Sequence, residues 1–150
     1  MEKSYYKSPI GVLEIICEKD ALISLKLVEN HDKSDSETVL IKEINTQLGE
    51  YFLGKRKTFD IKLKPVGTDF QKKVWEELQK IPYGKTKSYS EIATAIGNKN
   101  AQRAVGSACN KNSIMLIIPC HRVISKNGEL GRFAYGNSIK QKLLEIEDNA

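Results

Sequence analysis

Cysteine, histidine and arginine stand in immediate succession at Cys120, His121 and Arg122, inside the stretch IMLIIPCHRVI over residues 114–124. A thiol near an imidazole can become a nucleophile, because the ring takes the thiol proton and leaves a thiolate. Most free cysteines are small buried hydrophobes with no chemistry. This one closes an apolar run that reads as a buried strand. Pro119 lacks the N–H that a ladder needs, so the chain leaves its sheet there and Cys120 falls at a strand end, where clefts form. On an extended chain His121 points away from Cys120, and a turn or a bridging water is needed to join them.

The last helical stretch supplies a third member. Asn137 is placed to cap a helix whose Ile139, Leu143 and Ile146 face inward, and Glu147 shares that face. A carboxylate there is costly unless paired, and His121 is its natural partner. The alternative is a frayed last turn exposed to water. Paired, Glu147, His121 and Cys120 make an acid–base–thiol relay, whose product is a thiolate at neutral pH.

Several elements must position these groups. Val12–Cys17 and Leu22–Leu27 read as two strands joined by a polar turn, and residues 31–37 as a polar loop. Leu40, Ile41, Ile44, Leu48, Tyr51 and Phe52 recur at helical spacing, and a strand is expected over Phe59–Leu63. KPVG, residues 64–67, divides an N-terminal domain (1–64) from a C-terminal one (65–150).

Thr68 and Gln71 then form a capping box ahead of a Phe70, Val74, Leu78 face, with Trp75 in the core. Ser88 and Glu91 form a second box, Gly97 stops that helix, and Asn100 is placed to cap the next. Helix, glycine turn, helix is the helix-turn-helix arrangement. Its second helix exposes Gln102, Arg103, Gly106, Ser107 and Asn110. Glycine within a helix costs about 1 kcal/mol against alanine. Gly106 therefore answers either to close packing inside the protein or to close approach of a nucleic-acid backbone.

The chain has 150 residues and a formal net charge of +5. That length supports a core without staples, and the basic balance leans weakly towards a polyanionic partner. Three cysteines (Cys17, Cys109 and Cys120) and two histidines (His31 and His121) show no zinc-ligand spacing. Neither a metal nor a cofactor is expected. With no apolar leader or spanning segment in view, the expected setting is cytoplasmic, with reduced thiols and no membrane contact.

IPCHRVI, together with TDFQKKVWEEL, IPYGKTKSYSEIA, QRAVGSACNKN and KLLEIE, resembles the O6-alkylguanine-DNA alkyltransferases, also called methylated-DNA–protein-cysteine methyltransferases. The match runs from about Gly67 to Glu147. The resemblance implies an α+β fold: a small sheet-containing first domain and a mainly helical second domain that carries the chemistry. It implies direct-reversal DNA repair, in which the alkyl group of O6-alkylguanine moves irreversibly to Cys120 in a single turnover. O4-alkylthymine is a second substrate it leaves open.

By the same resemblance, a monomer binds double-stranded DNA through the minor groove, without sequence preference, and flips the base. Arg103 replaces the flipped nucleotide, and the small Ala104 and Gly106 admit the helix to a narrow groove, flanked by Gln102 and Ser107. Tyr89 protonates the leaving guanine, Asn112 orients the site, and Arg122 ties the loop down. The carbonyls of Cys120 and Val123 read the guanine amino group, and the Ala134 N–H meets O6. Phe133, Ala134 and Tyr135 depart from the commoner residues of the pocket loop, which bears on the range of adduct sizes. A redox-sensing transcription factor would leave Pro119, His121 and Glu147 without purpose, and a cysteine hydrolase would need an oxyanion motif that is not evident near Cys120.

Overall fold

The computed structural model describes residues 1–29 and 36–148, so most of the expected polar loop, with His31, lies outside the described residues. An antiparallel sheet in the order β1 (Glu2–Ser8), β2 (Gly11–Glu18), β3 (Ala21–Val28) opens the chain. Alternation decides its inner face: Leu13, Ile15 and Cys17 of β2 are buried, as are Leu22 and Leu25 of β3. Strand β1 was not expected, because EKSYYKS is mostly polar. It forms because it pairs with β2 along its whole length, from Glu2 opposite Cys17 to Ser8 opposite Gly11.

Helix α1 (Val39–Phe52) begins at Thr38, whose hydroxyl accepts from the Ile41 N–H, and buries Ile41, Ile44, Leu48 and Tyr51. The strand expected over Phe59–Leu63 does not form. One parallel bridge joins Leu63 to Leu22. At Asp60 the buried Gln47 of α1 takes a strand partner's place, its amide accepting from the Asp60 N–H at 2.9 Å and donating to the Asp60 carbonyl at 3.2 Å. A side chain that satisfies both backbone groups removes the need for a ladder.

The second half is helical, and the whole is an α+β fold. Helix α2 (Asp69–Leu78) carries the capping box from Thr68 and Gln71, and α3 (Tyr89–Ala95) the one from Ser88 and Glu91. The buried face of α2 is Val74, Trp75 and Leu78, while Phe70 is 37% exposed, so the expected stripe is rotated towards the tryptophan. Trp75 Nε1 donates to the Ala108 carbonyl at 2.9 Å and ties α2 to α4 (Gln102–Asn110). Asn100 does not cap α4. Ala101 occupies that position without a side-chain bond, and the turn is made at Asn98, whose side chain and carbonyl accept from the N–H groups of Asn100 and Ala101.

The apolar run before Cys120 is buried as expected but is not a strand. Ile114 makes one bridge to Leu25, and the following amides turn back on the chain: Ile117 to Met115, Ile118 to Ile114. Leu116 sits at φ 75° within that turn. Local bonds capture the amides that a ladder would have used. A single 3₁₀ turn, Cys120–Arg122, leads into β5 (Val123–Ile124), which pairs in parallel with β4 (Lys87–Ser88). Helix α5 (Asn137–Asp148) closes the described chain; Asn137 is its first residue, and its first turn bonds back to the Gly136 carbonyl. Among the described residues, no helix is long and apolar enough to cross a membrane.

Candidate active site

Pro119 ends the turns before Cys120, and the 3₁₀ turn replaces the extended chain that would have sent Cys120 and His121 to opposite sides. Cys120 is 4% exposed. Asn112, just past the end of α4, spans the gap to it: its Nδ2 donates to Sγ at 3.3 Å and to the Ile118 carbonyl at 2.8 Å, while its Oδ1 accepts from the Ile114 N–H at 2.9 Å. One amide thus fixes both the turn and the thiol. Burial pushes the Cys120 thiol up, and the Asn112 bond and the Lys140 charge offset this only in part. The free protein therefore holds a thiol, contrary to the expectation of a standing thiolate, because desolvation outweighs the groups that favour the anion.

Glu147 is buried at 4% exposure, so the frayed-turn alternative fails. Its Oε2 accepts from His121 Nε2 at 2.6 Å, Tyr51 Oη at 2.6 Å and Arg122 Nη2 at 3.0 Å. Its Oε1 accepts from Arg122 Nε at 2.8 Å and the Gly84 N–H at 3.2 Å. Burial opposes the charge, but the bonds from His121 and Arg122 outweigh it and hold the carboxyl well below the usual range. Burial lowers the pKa of His121 despite the carboxylate beside it. The resting ring is therefore neutral. Because a carboxylate only accepts, Nε2 carries the proton and Nδ1 presents a lone pair. That Nδ1 is buried and meets no hydrogen-bond partner among the described residues. Arg122 also donates to the Ile81 carbonyl at 2.8 Å, tying the 3₁₀ turn to the end of α2.

Tyr89 opens α3 at the other edge of the site. Its hydroxyl donates to the Arg132 carbonyl at 3.2 Å, and burial raises its pKa to about 12, so it holds its proton at neutral pH. The loop from Leu130 passes very close. A Cβ on Gly131, at φ 72°, would lie 2.9 Å from the Tyr89 hydroxyl, so both the conformation and the contact require glycine.

Lys140 of α5 holds this loop and was missed in the sequence. Fully buried, its Nζ donates to the carbonyls of Val123 at 2.6 Å, Leu130, and Arg132 at 3.4 Å, and lies 3.5 Å from the Tyr89 hydroxyl. Its spacing from Leu143 and Glu147 on one helix face was the available signal. A lysine is normally assigned to solvent, and that habit hid it. Burial lowers its pKa.

The carbonyls expected to read guanine already have protein partners. Val123 accepts from Lys140, and Cys120 accepts from the Val123 N–H, which leaves each one lone pair. Phe133 and Tyr135 pack edge to face with centroids 5.8 Å apart, and Ala134 between them is exposed.

Gln102, Arg103, Ala104, Ser107 and Asn110 are exposed on α4, and all but Ala104 line a cleft of about 700 Å³ that reaches Tyr89, Gly106 and Arg132. A Cβ on Gly106 would meet the Tyr89 ring at 3.8 Å, an ordinary contact. Internal packing therefore does not demand this glycine, which leaves close approach from outside. Cys120 is buried and does not line this cleft.

Comparison with known proteins agrees with this geometry. A family described as the 6-O-methylguanine DNA methyltransferase ribonuclease-like domain matches residues 1–65, and the corresponding DNA binding domain matches residues 69–149. The methylated-DNA–protein-cysteine methyltransferase of Methanosarcina acetivorans is 44% identical, over 98% of this chain and 98% of its own. The constitutive enzyme of that name from Bacillus subtilis is 41% identical, over 96% and 95%. The crystal structure of Mycobacterium tuberculosis OGT in complex with DNA superposes with a TM-score of 0.92 at 39% identity, covering 99% of this chain and 94% of that one. On both sequence and structure, the chain belongs to the methylated-DNA–protein-cysteine methyltransferase family.

Proposed function

We propose that this protein repairs O6-alkylguanine in double-stranded DNA by direct reversal, moving the alkyl group irreversibly onto Cys120 in a single turnover. The observation that carries this reading is the buried thiol held by Asn112 beside a neutral histidine, whose far nitrogen is fixed by a buried carboxylate. As substrate fills the site, the Cys120 proton passes, through a bridging water, to the free Nδ1 of His121, and Glu147 stabilises the imidazolium that forms. The thiolate attacks the alkyl carbon. The S–C bond forms as the C–O6 bond breaks, and guanine leaves with a proton supplied by Tyr89. The imidazolium proton returns through solvent to the Tyr89 oxygen, so one proton in all passes from Cys120 to guanine. The product is a thioether, which no group in the site can reverse.

A flipped base is required because O6 is not accessible to the thiol within a stacked duplex. Arg103 is the long exposed side chain of α4 suited to take the vacated space. Ala104 and Gly106 let the helix backbone approach a minor groove, with Gln102 and Ser107 beside them. The remaining lone pairs of the Cys120 and Val123 carbonyls accept from the guanine amino group, and the Ala134 N–H donates to O6. Phe133 and Tyr135 wall the pocket, and Lys140 clasps the loop that carries them. The protein acts as a monomer without sequence preference in a reducing, cytoplasmic setting. Its chemistry resides in residues 65–150, supported by an N-terminal domain over residues 1–64.

Incubation with a duplex containing one O6-methylguanine, followed by intact-mass and peptide analysis, tests the proposal. One methyl group is expected, on Cys120, and none on Cys120→Ser, which still binds the duplex. Methylation of Cys17 or Cys109, or repeated turnover, would overturn it.

A further inference from the structure

We infer that Tyr51, carried by the N-terminal helix α1, is a positioning residue for the transfer: its hydroxyl competes with His121 for one oxygen of Glu147 and so sets the basicity of that ring. The inference rests on the proposed role of His121 as the base that receives the Cys120 proton.

Tyr51 lies in the last turn of α1 and is fully buried. Its ring is wedged by Phe52, Phe59 and Tyr83, with centroids 5.2, 5.6 and 6.0 Å away. Packing of this kind needs only a benzene ring, and a phenylalanine would supply it. The hydroxyl has a separate task. It donates to Glu147 Oε2 at 2.6 Å, the same length as the bond to that oxygen from His121 Nε2. Donors that share a carboxylate oxygen draw on the same charge, so each weakens what the oxygen offers the other. Burial and the nearby carboxylate drive the phenol pKa far upward, so Tyr51 remains a donor wherever the protein works.

The other groups around the pair are fixed. Arg122 forks across both oxygens, the Gly84 N–H binds Oε1, and the Tyr83 ring faces Tyr51. Lys140 and Arg122 both oppose a charge on His121. Among these groups, Tyr51 is the one whose donor strength can be altered while its shape is kept.

The test uses the full chain. In Tyr51→Phe the carboxylate is left to hold His121 more strongly, and the His121 pKa, read from imidazole NMR shifts, should rise by about half a unit. The acid limb of methyl transfer to Cys120 should move up with it, because a ring already protonated cannot accept the thiol proton. Placing 3,5-difluorotyrosine at position 51 keeps the ring and makes the phenol a stronger donor, and both readings should move down. Tyr83→Phe serves as the packing control. Tyr83 belongs to the same aromatic cluster, but its hydroxyl approaches the Ile146 carbonyl at 3.5 Å, and neither reading should move. Identical titrations for phenylalanine, difluorotyrosine and wild type, or shifts in the same direction for both replacements, would overturn the inference. Should Tyr51→Phe not fold, the difluorotyrosine protein decides alone. Failure of wild type to methylate Cys120 would instead sink the proposed reaction, which the NMR titration does not require.

Discussion

In the buried knot around Glu147 the carboxylate is fully partnered by the protein, whereas the outer face of α4 is open. In the knot, five hydrogen bonds converge on one carboxylate. On α4, the side chains of Gln102, Arg103, Ser107 and Asn110 are exposed, and none makes a hydrogen bond or ion pair among the described residues. A group buried without partners is expensive, so the knot had to be closed by the fold itself. Exposed groups on α4 cost little while they face water, and they can wait for a ligand. The difference separates chemistry that is pre-organised from recognition that is assembled on binding.

The largest effect should come from breaking the knot. Glu147→Gln removes the counter-charge of the imidazolium and sets an amide NH₂ against donors that now bind the carboxylate. Methyl transfer near neutral pH should fall about 10²- to 10⁴-fold, with activity returning only at higher pH, where the thiol ionises unaided. Single-turnover rates across pH check this, and an unchanged profile would assign Glu147 to packing alone.

The same knot gives stability a direction with pH. The Glu147 pKa is depressed in the fold, so its contribution is present above the unfolded carboxylate value and is lost as pH falls from there towards the lower folded value. The His121 pKa is also depressed, so its contribution is full above about 6.5 and is lost on acidification. Melting temperature should fall as pH drops below that value, and Glu147→Gln should flatten the carboxylate part of the fall.

The open face should respond differently. Arg103→Ala removes the side chain proposed to hold the base out. Transfer from duplex DNA should fall about a hundredfold, matching a few kcal/mol of unpairing and unstacking, while binding weakens only severalfold. Repair at the wild-type rate would remove Arg103 from the extrusion step.

The smallest effect concerns the edge between the two regions. Tyr135 packs on Phe133, and its pKa is raised by burial and by the neighbouring Cys120. A bulky free base such as O6-benzylguanine must share that space without the help of DNA contacts. Overpacking typically costs about 1–3 kcal/mol, a roughly five- to hundredfold loss. Slow reaction with O6-benzylguanine is expected beside normal methyl repair, with Tyr135→Gly restoring it. Rapid labelling of wild type would show that the ring swings aside.

Local signals were legible where they act locally. Thr68 with Gln71 and Ser88 with Glu91 marked two helix starts, because a cap is decided within four residues. The Glu147–His121 pairing was legible because a carboxylate on an apolar helix face asks for a partner. Features decided by distant chain were not. Strand β1 depends on β2, the 59–63 segment on Gln47, and the 114–118 turns on one bridge to Leu25. Lys140 and Tyr51 look like a surface lysine and a core aromatic until the backbone carbonyls and the carboxylate appear beside them.

The ladder between β4 and β5 has only two rungs, Lys87 with Val123 and Ser88 with Ile124. Tyr89 follows the last residue of one strand, and Cys120 lies just ahead of the other. This short frame works as a gauge block between the proposed proton donor and the proposed nucleophile. A slip of one residue would displace one against the other by about 3.3 Å, whereas a misplacement of about 1 Å is enough to cost two orders of magnitude in rate. The spacing therefore has almost no tolerance along the ladder, and β3 braces the approach to it through the bridge from Leu25 to Ile114.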